Sequence, residues 1–368
     1  MYLDHAATAP PRREVLEAMW PWLTQHFGNP ASHHEYGEVA KIALDQAREQ
    51  IAAQLGVHAA EIIFTSGGTE ADNLAIKGIA LAEKERKHLI VSAIEHPAVF
   101  EAAHWLERFG YEVTELPVGQ TGLISPKSLA QALRPDTCLV SIQYANNEVG
   151  TIQPIAELAQ VAHEHGVWFH TDAVQAAGWL DLTVADLGVD ALAISGHKLG
   201  TPKGIGLLYL NRRVGFEPLI HGGGQQDGAR SGTENVAGAV GLATALGLRA
   251  NLSDQATRLS GLRDEFICQV EAFGAELTGD RTARLPNNAS FVFPGRSGES
   301  VLVDLAARGI VCSGGWGCAA GSDERSHVLT AMGFDRDLAQ SAVRFTFDES
   351  FTEESLTEVV SALTLISG

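Results

Sequence analysis

The sequence predicts an α/β protein, with a large domain built on a mainly parallel sheet covered by helices and a smaller α+β domain at its carboxyl end. Three observations carry this. Short apolar runs alternate with amphipathic segments through the first part of the chain, the stretch from Gly232 to Gly274 reads as almost wholly helical, and the remainder mixes strands with helices. A chain of 368 residues with 45% hydrophobic content is too long for one core of ordinary size, so two lobes, each with its own interior, are expected.

The elements follow in order. The apolar run "EIIF" precedes the helical "ADNLAIKGIALAEK", and "HLIVS" precedes the helical "AVFEAAHWLERFG". Further strands are expected within "YEVTELPV", "TCLVSIQYANNE", "VWFHTDA", "ALAISGH" and "GIGLLYLNRR", with a helix at "IAELAQVAHEHG" before the third of these. The long helical stretch has a break expected at "ANLSDQ". After it come strand "ASFVFPG", helix "ESVLVDLAARG", a strand ending at "GIVCS", helix "RSHVLTAMG" and a last helix "TEESLTEVVSALTLI".

Lys and Arg total 26 against 45 Asp and Glu, a formal charge of −19, and such a field repels nucleic-acid phosphates and anionic lipid surfaces. Direct nucleic-acid binding and membrane association are therefore not expected. The opening "MYLDHAATAPPRREV" has neither a basic nor an apolar leader region, and no apolar run nears the roughly 18 residues that span a bilayer. The expected compartment is the cytoplasm. Cys138, Cys268, Cys312 and Cys318 form no CxxC pair, so no disulfide framework is expected there.

In open α/β sheets ligands sit beyond the carboxyl ends of the strands, and those positions carry unusual chemistry here. "EIIF" is followed by Thr65-Ser66-Gly67-Gly68-Thr69-Glu70, a small-residue turn that opens a helix and suits a phosphate, or that simply uses Thr69 as helix cap. Glu95-His96-Pro97 follows "HLIVSAI", Asp172 follows "VWFHT", and Ser195-Gly196-His197-Lys198 follows "ALAI". A lone lysine or aspartate at a strand end is usually a loop residue or a cap. Lys198, Asp172 and a phosphate-type turn together match the needs of pyridoxal phosphate: an amine for its Schiff base, a carboxylate for its ring nitrogen and a phosphate cradle. Separately, "CSGGWGCAAGS" from Cys312 to Ser322 sets two thiols among small residues, which points to reactivity rather than packing.

The motifs "YLDHAATAP", "FGNPASHHEYG", "TSGGTEADNLAIKG", "EHPAV", "NNEVGTIQPI", "HTDAVQAAG", "SGHKLGTPKGIG", "GGGQQDGARSGTEN", "SGGWGCAAGS" and "VRFTF", in this order, resemble the cysteine desulfurases of the class V aminotransferase family, fold-type I pyridoxal-phosphate enzymes. The resemblance implies Lys198 as the Schiff-base lysine, Asp172 at the ring nitrogen, His96 stacked on the ring, and Gln175 and Asn147 at the phenolic oxygen. It implies Gly68, Thr69, Ser195 and His197 around the phosphate, and Thr233 reaching the phosphate of a neighbouring subunit in a homodimer. Arg344, helped by Asn147, would bind the carboxylate of L-cysteine, which suits a planar guanidinium. Cys318 would attack the substrate sulfur, yielding L-alanine and a persulfide that passes to a sulfur-acceptor protein, a scaffold or carrier, as in iron–sulfur cluster assembly. Some activation of the thiol, with His96 as a candidate, is expected. The implied organisation is an N-terminal arm over 1–15 packing with the small domain, a large cofactor-binding domain over 16–252, and a small domain over 253–368 carrying the cysteine loop.

Other residues invite plainer readings. Cys138 and Cys268 lie in apolar patterns and are expected to be buried and inert, and Cys312 reads as a spectator facing the interior. His163 and His165 fall on different faces of one helix, so no metal site is expected. Trp316 is a bulky ring in a loop that also looks one residue longer than the family form. A selenocysteine lyase or another class V aminotransferase or lyase would share Lys198 and Asp172, and the latter would not need Cys318.

Overall fold

The computed structural model describes residues 1–314 and 326–367. Its main sheet has seven strands: β1 (Ile62–Thr65), β2 (His88–Ser92), β3 (Glu112–Leu116), β4 (Thr137–Ser141), β5 (Trp168–Asp172), β6 (Ala191–Ser195) and β7 (Gly206–Leu210). The spatial order is β1-β7-β6-β5-β4-β2-β3, in which β7 runs antiparallel to both neighbours and the remaining pairs are parallel. A second sheet holds β8 (Glu276–Leu277), β9 (Asn288–Val292) and β10 (Ala342–Thr346), all antiparallel.

Helices α1 (Arg13–Thr24) and α2 (Glu35–Leu55) precede the main sheet. Its connections carry α3 (Gly68–Ala82), α4 (Pro97–Trp105), α5 (Pro126–Ala132), α6 (Ile155–Glu164) and α7 (Val184–Leu187). Then α8 (Val236–Gly247) and α9 (Leu252–Glu271) follow, separated by a 3₁₀ turn over Leu248–Asn251, where the helical pattern weakens at "ANLSDQ". Around the second sheet lie α10 (Gly298–Ala306), α11 (His327–Ala331), α12 (Arg336–Gln340) and α13 (Glu353–Ser367).

The central strands are buried along nearly their whole length because both faces are covered. Side chains alternate across them, so Leu192 and Ile194 of β6 join the core on one face while Ala191 and Ala193 join the core on the other. The second sheet packs its own core, in which Phe266 meets Phe291, Phe345 and Phe347 edge to face. The start of the chain bridges to this second unit through Tyr2 with Val311 and Asp4 with Thr346. Val311 and Ser313 make only isolated bridges, so "GIVCS" is not a strand.

Candidate active site

The carboxyl ends of β1, β2, β4, β5 and β6 open onto one cavity of about 660 Å³. Gly68, Thr69, His96, Asn147, Asp172, Gln175, Ser195, His197, Lys198 and Arg344 all line it. Thr233 does not, and lines a neighbouring pocket of about 190 Å³ with Ser66 and Arg230. The segment leading to it is anchored by Gln226, whose side-chain oxygen accepts from Arg48 at 2.9 Å and from the Phe64 amide at 3.1 Å. Cys318 and Trp316 lie outside the described residues.

Lys198 ends a short 3₁₀ turn after β6 and donates from Nζ to the main-chain oxygens of Ala6 and, at 2.8 Å, of Ala7. Burial, then the Arg344 charge, pushes its pKa down to about 8, while Asp172 and Asp4 act the other way. Asp172 is buried at the end of β5 and accepts from the Val174 amide at 2.8 Å. Burial raises its pKa, against the opposing influence of His96 and Lys198.

His96 caps α4 by accepting at Nδ1 from the Ala98 amide, 3.1 Å away. That places its proton on Nε2, and burial keeps the ring neutral by lowering its pKa. His197 lies 3.1 Å by Nδ1 from Thr8 Oγ1, and burial followed by the charges of Lys198 and Lys203 pushes its pKa down to about 4. Gln175 donates to Ala6 O at 3.0 Å. Arg344, 3% exposed on β10, donates to Asn147 O at 2.8 Å and to Asp4 Oδ1 at 2.5 Å.

Two glycines give the turn after β1 its shape. A Cβ on Gly68 would lie 2.7 Å from Val174 Cγ2 and 3.3 Å from Ser195 Cβ, so a side chain there would fill the gap at the start of α3. A Cβ on Gly206 would lie 2.6 Å from the Gly67 carbonyl carbon, and its absence lets β7 approach the turn. The N-cap of α3 is Gly67 rather than Thr69, and no side chain caps that end, so the first-turn amides are available to an anion. These features fit pyridoxal phosphate: amides and a glycine gap for a phosphate, a buried carboxylate for a ring nitrogen and a lysine amine of lowered pKa.

Several site residues escaped the sequence reading. Asp4, Asp72, Gln143, Lys203 and Ser313 also line the cavity, beside Glu70 of the turn after β1. Asp72 and Gln143 carried a signal, being within the "TEADN" turn and just beyond β4. Asp4 and Ser313 arrive by tertiary packing alone.

The remaining cysteines separate by burial. Cys138 is fully buried with its pKa pushed up to about 12 by burial, as expected of an inert thiol. Cys268 contradicts its expected burial: it lies on the solvent face of α9, between buried Ile267 and Val270, because an apolar composition did not fix its position on the helix. Cys312 is half-buried against the second core, and burial, then Asp4, pushes its pKa up to about 12. His163 bonds Asp190 at 2.7 Å, and among the described residues no cluster of potential metal ligands occurs. No helix among them is long and apolar enough to cross a membrane.

The family model for class-V aminotransferases matches residues 1–359. The chain belongs to the class-V aminotransferase family. A relative from Dictyoglomus turgidum named cysteine desulfurase IscS is 47% identical over 367 residues, covering 99% of this chain and 93% of its own. Among solved structures, a NifS-like protein superposes with a TM-score of 0.93 at 37% identity, covering 100% of this chain and 98% of its own. A structure titled SspA in complex with cysteine matches with a TM-score of 0.83 at 39% identity, covering 94% of this chain and 98% of its own. This class-V aminotransferase thus has the fold of NifS-like proteins, which bears out the predicted α/β architecture.

Proposed function

We infer that this class-V aminotransferase is a pyridoxal-phosphate-dependent cysteine desulfurase that converts L-cysteine to L-alanine and passes the sulfur on as a persulfide. The observation that carries this reading is the convergence of Lys198, Asp172 and Arg344 on one cavity whose phosphate end is the uncapped start of α3. A similar structure titled as a complex with cysteine supports the substrate.

Pyridoxal phosphate, when bound, supplies an aldehyde carbon for amines and a ring that accepts electrons from the substrate Cα. The roles proposed for the chain's residues are those the family resemblance implies, and the surroundings of each residue support them. Amides of Gly68 and Thr69, with Ser195 and His197, hold the phosphate. Asp172, ionised opposite a ring nitrogen, keeps that nitrogen protonated, and its burial makes the pairing strong. His96 would stack on the ring, its orientation held by the bond to Ala98, and Gln175 and Asn147 would face the phenolic oxygen. Arg344 orients the substrate carboxylate, with Asn147 beside it. Lys198 would hold the cofactor through its amine, and its lowered pKa would let that amine take and return the Cα proton near neutral pH.

Cys318 is the proposed nucleophile toward the substrate sulfur. Its thiolate forms the new S–S bond, the substrate C–S bond breaks with its electron pair going to carbon, and the three-carbon product leaves as alanine after protonation. Thr233 is proposed to serve the phosphate of a second copy in a homodimer. The proposed setting is a reducing cytoplasm, in which Cys138, Cys268 and Cys312 are free thiols, and the proposed acceptor is a scaffold or carrier protein such as one feeding iron–sulfur cluster assembly. Incubation of the holoprotein with L-cysteine and a reductant tests the activity: alanine and sulfide should form in equal amounts. Keto-acid formation without sulfide would favour transamination and overturn the reading.

A further inference from the structure

In the wall of the cavity, beginning at Asp72, lies a buried pair to which the proposed reaction gives no role. His170 and Asp172 are two residues apart on β5 and so share the strand face against which α3 packs. Asp72 of α3 is 1% exposed and His170 is 0% exposed. Asp72 Oδ1 lies 3.6 Å from His170 Nε2, and among the described residues neither atom has a hydrogen-bond partner. On its other side the ring meets Ser141, with Nδ1 2.8 Å from Oγ.

The acidic groups acting on Asp72 are Asp172 from β5 and Glu95 beyond β2, and Glu95 accepts from the Gln143 amide at 2.8 Å. Three buried carboxyls this close are not all ionised, because each charge pays for desolvation and repels the others. Asp172 has the Lys198 charge acting in favour of its own, and among the described residues no cation acts on Asp72. Burial, then Asp172 and Glu95, raises the Asp72 pKa well above the carboxylate range, and burial pushes His170 down to about 3. A protonated carboxyl and a neutral imidazole with an open acceptor nitrogen are complementary, and a small side-chain rotation brings them to hydrogen-bond distance.

We propose that Asp72 keeps its proton and donates it to His170 Nε2 while His170 Nδ1–H donates to Ser141, and that this neutral pair is a positioning element that keeps Asp72 from setting a second buried negative charge beside Asp172. The proposal rests on the reading of Asp172 as the partner of the ring nitrogen. In the opposite arrangement Asp72 is an anion that accepts from His170, and a second negative charge sits beside Asp172.

The test compares the purified full chain with Asp72→Asn, which keeps shape and an N–H donor, and Asp72→Leu, which keeps neither polar group. The infrared difference between wild type and Asp72→Asn at neutral pH, recorded with and without pyridoxal phosphate, should show the loss of a protonated-carboxyl band. Loss of an ionised-carboxylate band overturns the proposal. With cofactor bound, Asp72→Asn should leave the pH midpoint of its absorbance within a few tenths of a unit, whereas removing a buried anion would move it by about one unit or more. Asp72→Leu should release the cofactor about tenfold faster, roughly 1.4 kcal/mol. Wild-type release from the leucine variant overturns the positioning role, and if that variant does not fold, the asparagine comparison decides alone. Failure of the wild-type chain to bind pyridoxal phosphate would sink the Asp172 reading instead, while the cofactor-free infrared difference still reports whether Asp72 holds its proton.

Discussion

Lys198 and Ala7 are joined by a 2.8 Å hydrogen bond from the lysine Nζ to the main-chain oxygen, so the first residues of the chain hold the amine on which the proposed chemistry depends. Ala6 O accepts from the same nitrogen. The amine is buried beside Arg344, and this gives it a pKa of about 8 rather than the value near 10.5 of a free lysine.

Capture of pyridoxal phosphate should therefore rise as pH rises toward about 8 and level off above it, because only the neutral amine attacks an aldehyde and a fully exposed lysine would still be gaining neutral fraction near pH 10. Stopped-flow absorbance across this range measures it, with borohydride reduction and peptide mapping to locate the link. Lys203 also lines the cavity, so a label on Lys203 instead of Lys198 would sink the assignment.

Gly68→Ala should weaken the cofactor about tenfold, since a Cβ 2.7 Å from Val174 Cγ2 forces a stiff, branched side chain to shift at a cost of roughly 1–3 kcal/mol. Fluorescence titration of the cofactor-free variant gives the affinity. An unchanged value would mean that the gap at the start of α3 is not a cradle.

The strand ends were legible in the sequence because a buried strand leaves its first polar residue at the rim. Ser195 is the first polar residue after one apolar run, the small-residue turn follows Thr65 at the end of another, and Asp172 closes a third behind His170 and Thr171; Ser195, the turn and Asp172 line the cavity. What the second unit and the arm bring was not legible from pattern. Arg344 sits in a β10 that is buried on both faces, and only the family resemblance gave it a role. Asp4 reaches Arg344 across 340 residues of sequence, a contact that no local periodicity encodes. Helices α1 and α2 were also missing from the sequence reading, the first holding Pro21 within its turns and the second having many small alanines on its buried face. Cys268 shows the same limit on a helix, where apolar neighbours fix the element but a single position decides exposure.

Thr233 lines a pocket beside the cavity rather than the cavity itself, as a residue serving a neighbouring copy would. Mixing inactive Lys198→Ala chains with impaired Thr233→Ala chains should restore activity, because one site of each heterodimer then combines a native Lys198 with a native Thr233 from the other chain. Activity that stays at the level of the parent homodimers after complete exchange would assign Thr233 to its own chain or to no site.

The central claim is that sulfur leaves L-cysteine on Cys318, and mass spectrometry of the holoprotein after L-cysteine addition tests it most directly. Cys312 is a poor rival, since burial holds its thiol neutral with a pKa of about 12 and a thiol attacks divalent sulfur only as its anion. The account predicts one extra sulfur on the peptide bearing Cys318, its absence in Cys318→Ser with the cofactor still bound, and near-normal turnover in Cys312→Ser. Extra sulfur on the Cys312 peptide, or release of alanine and sulfide by Cys318→Ser at the wild-type rate, would contradict it.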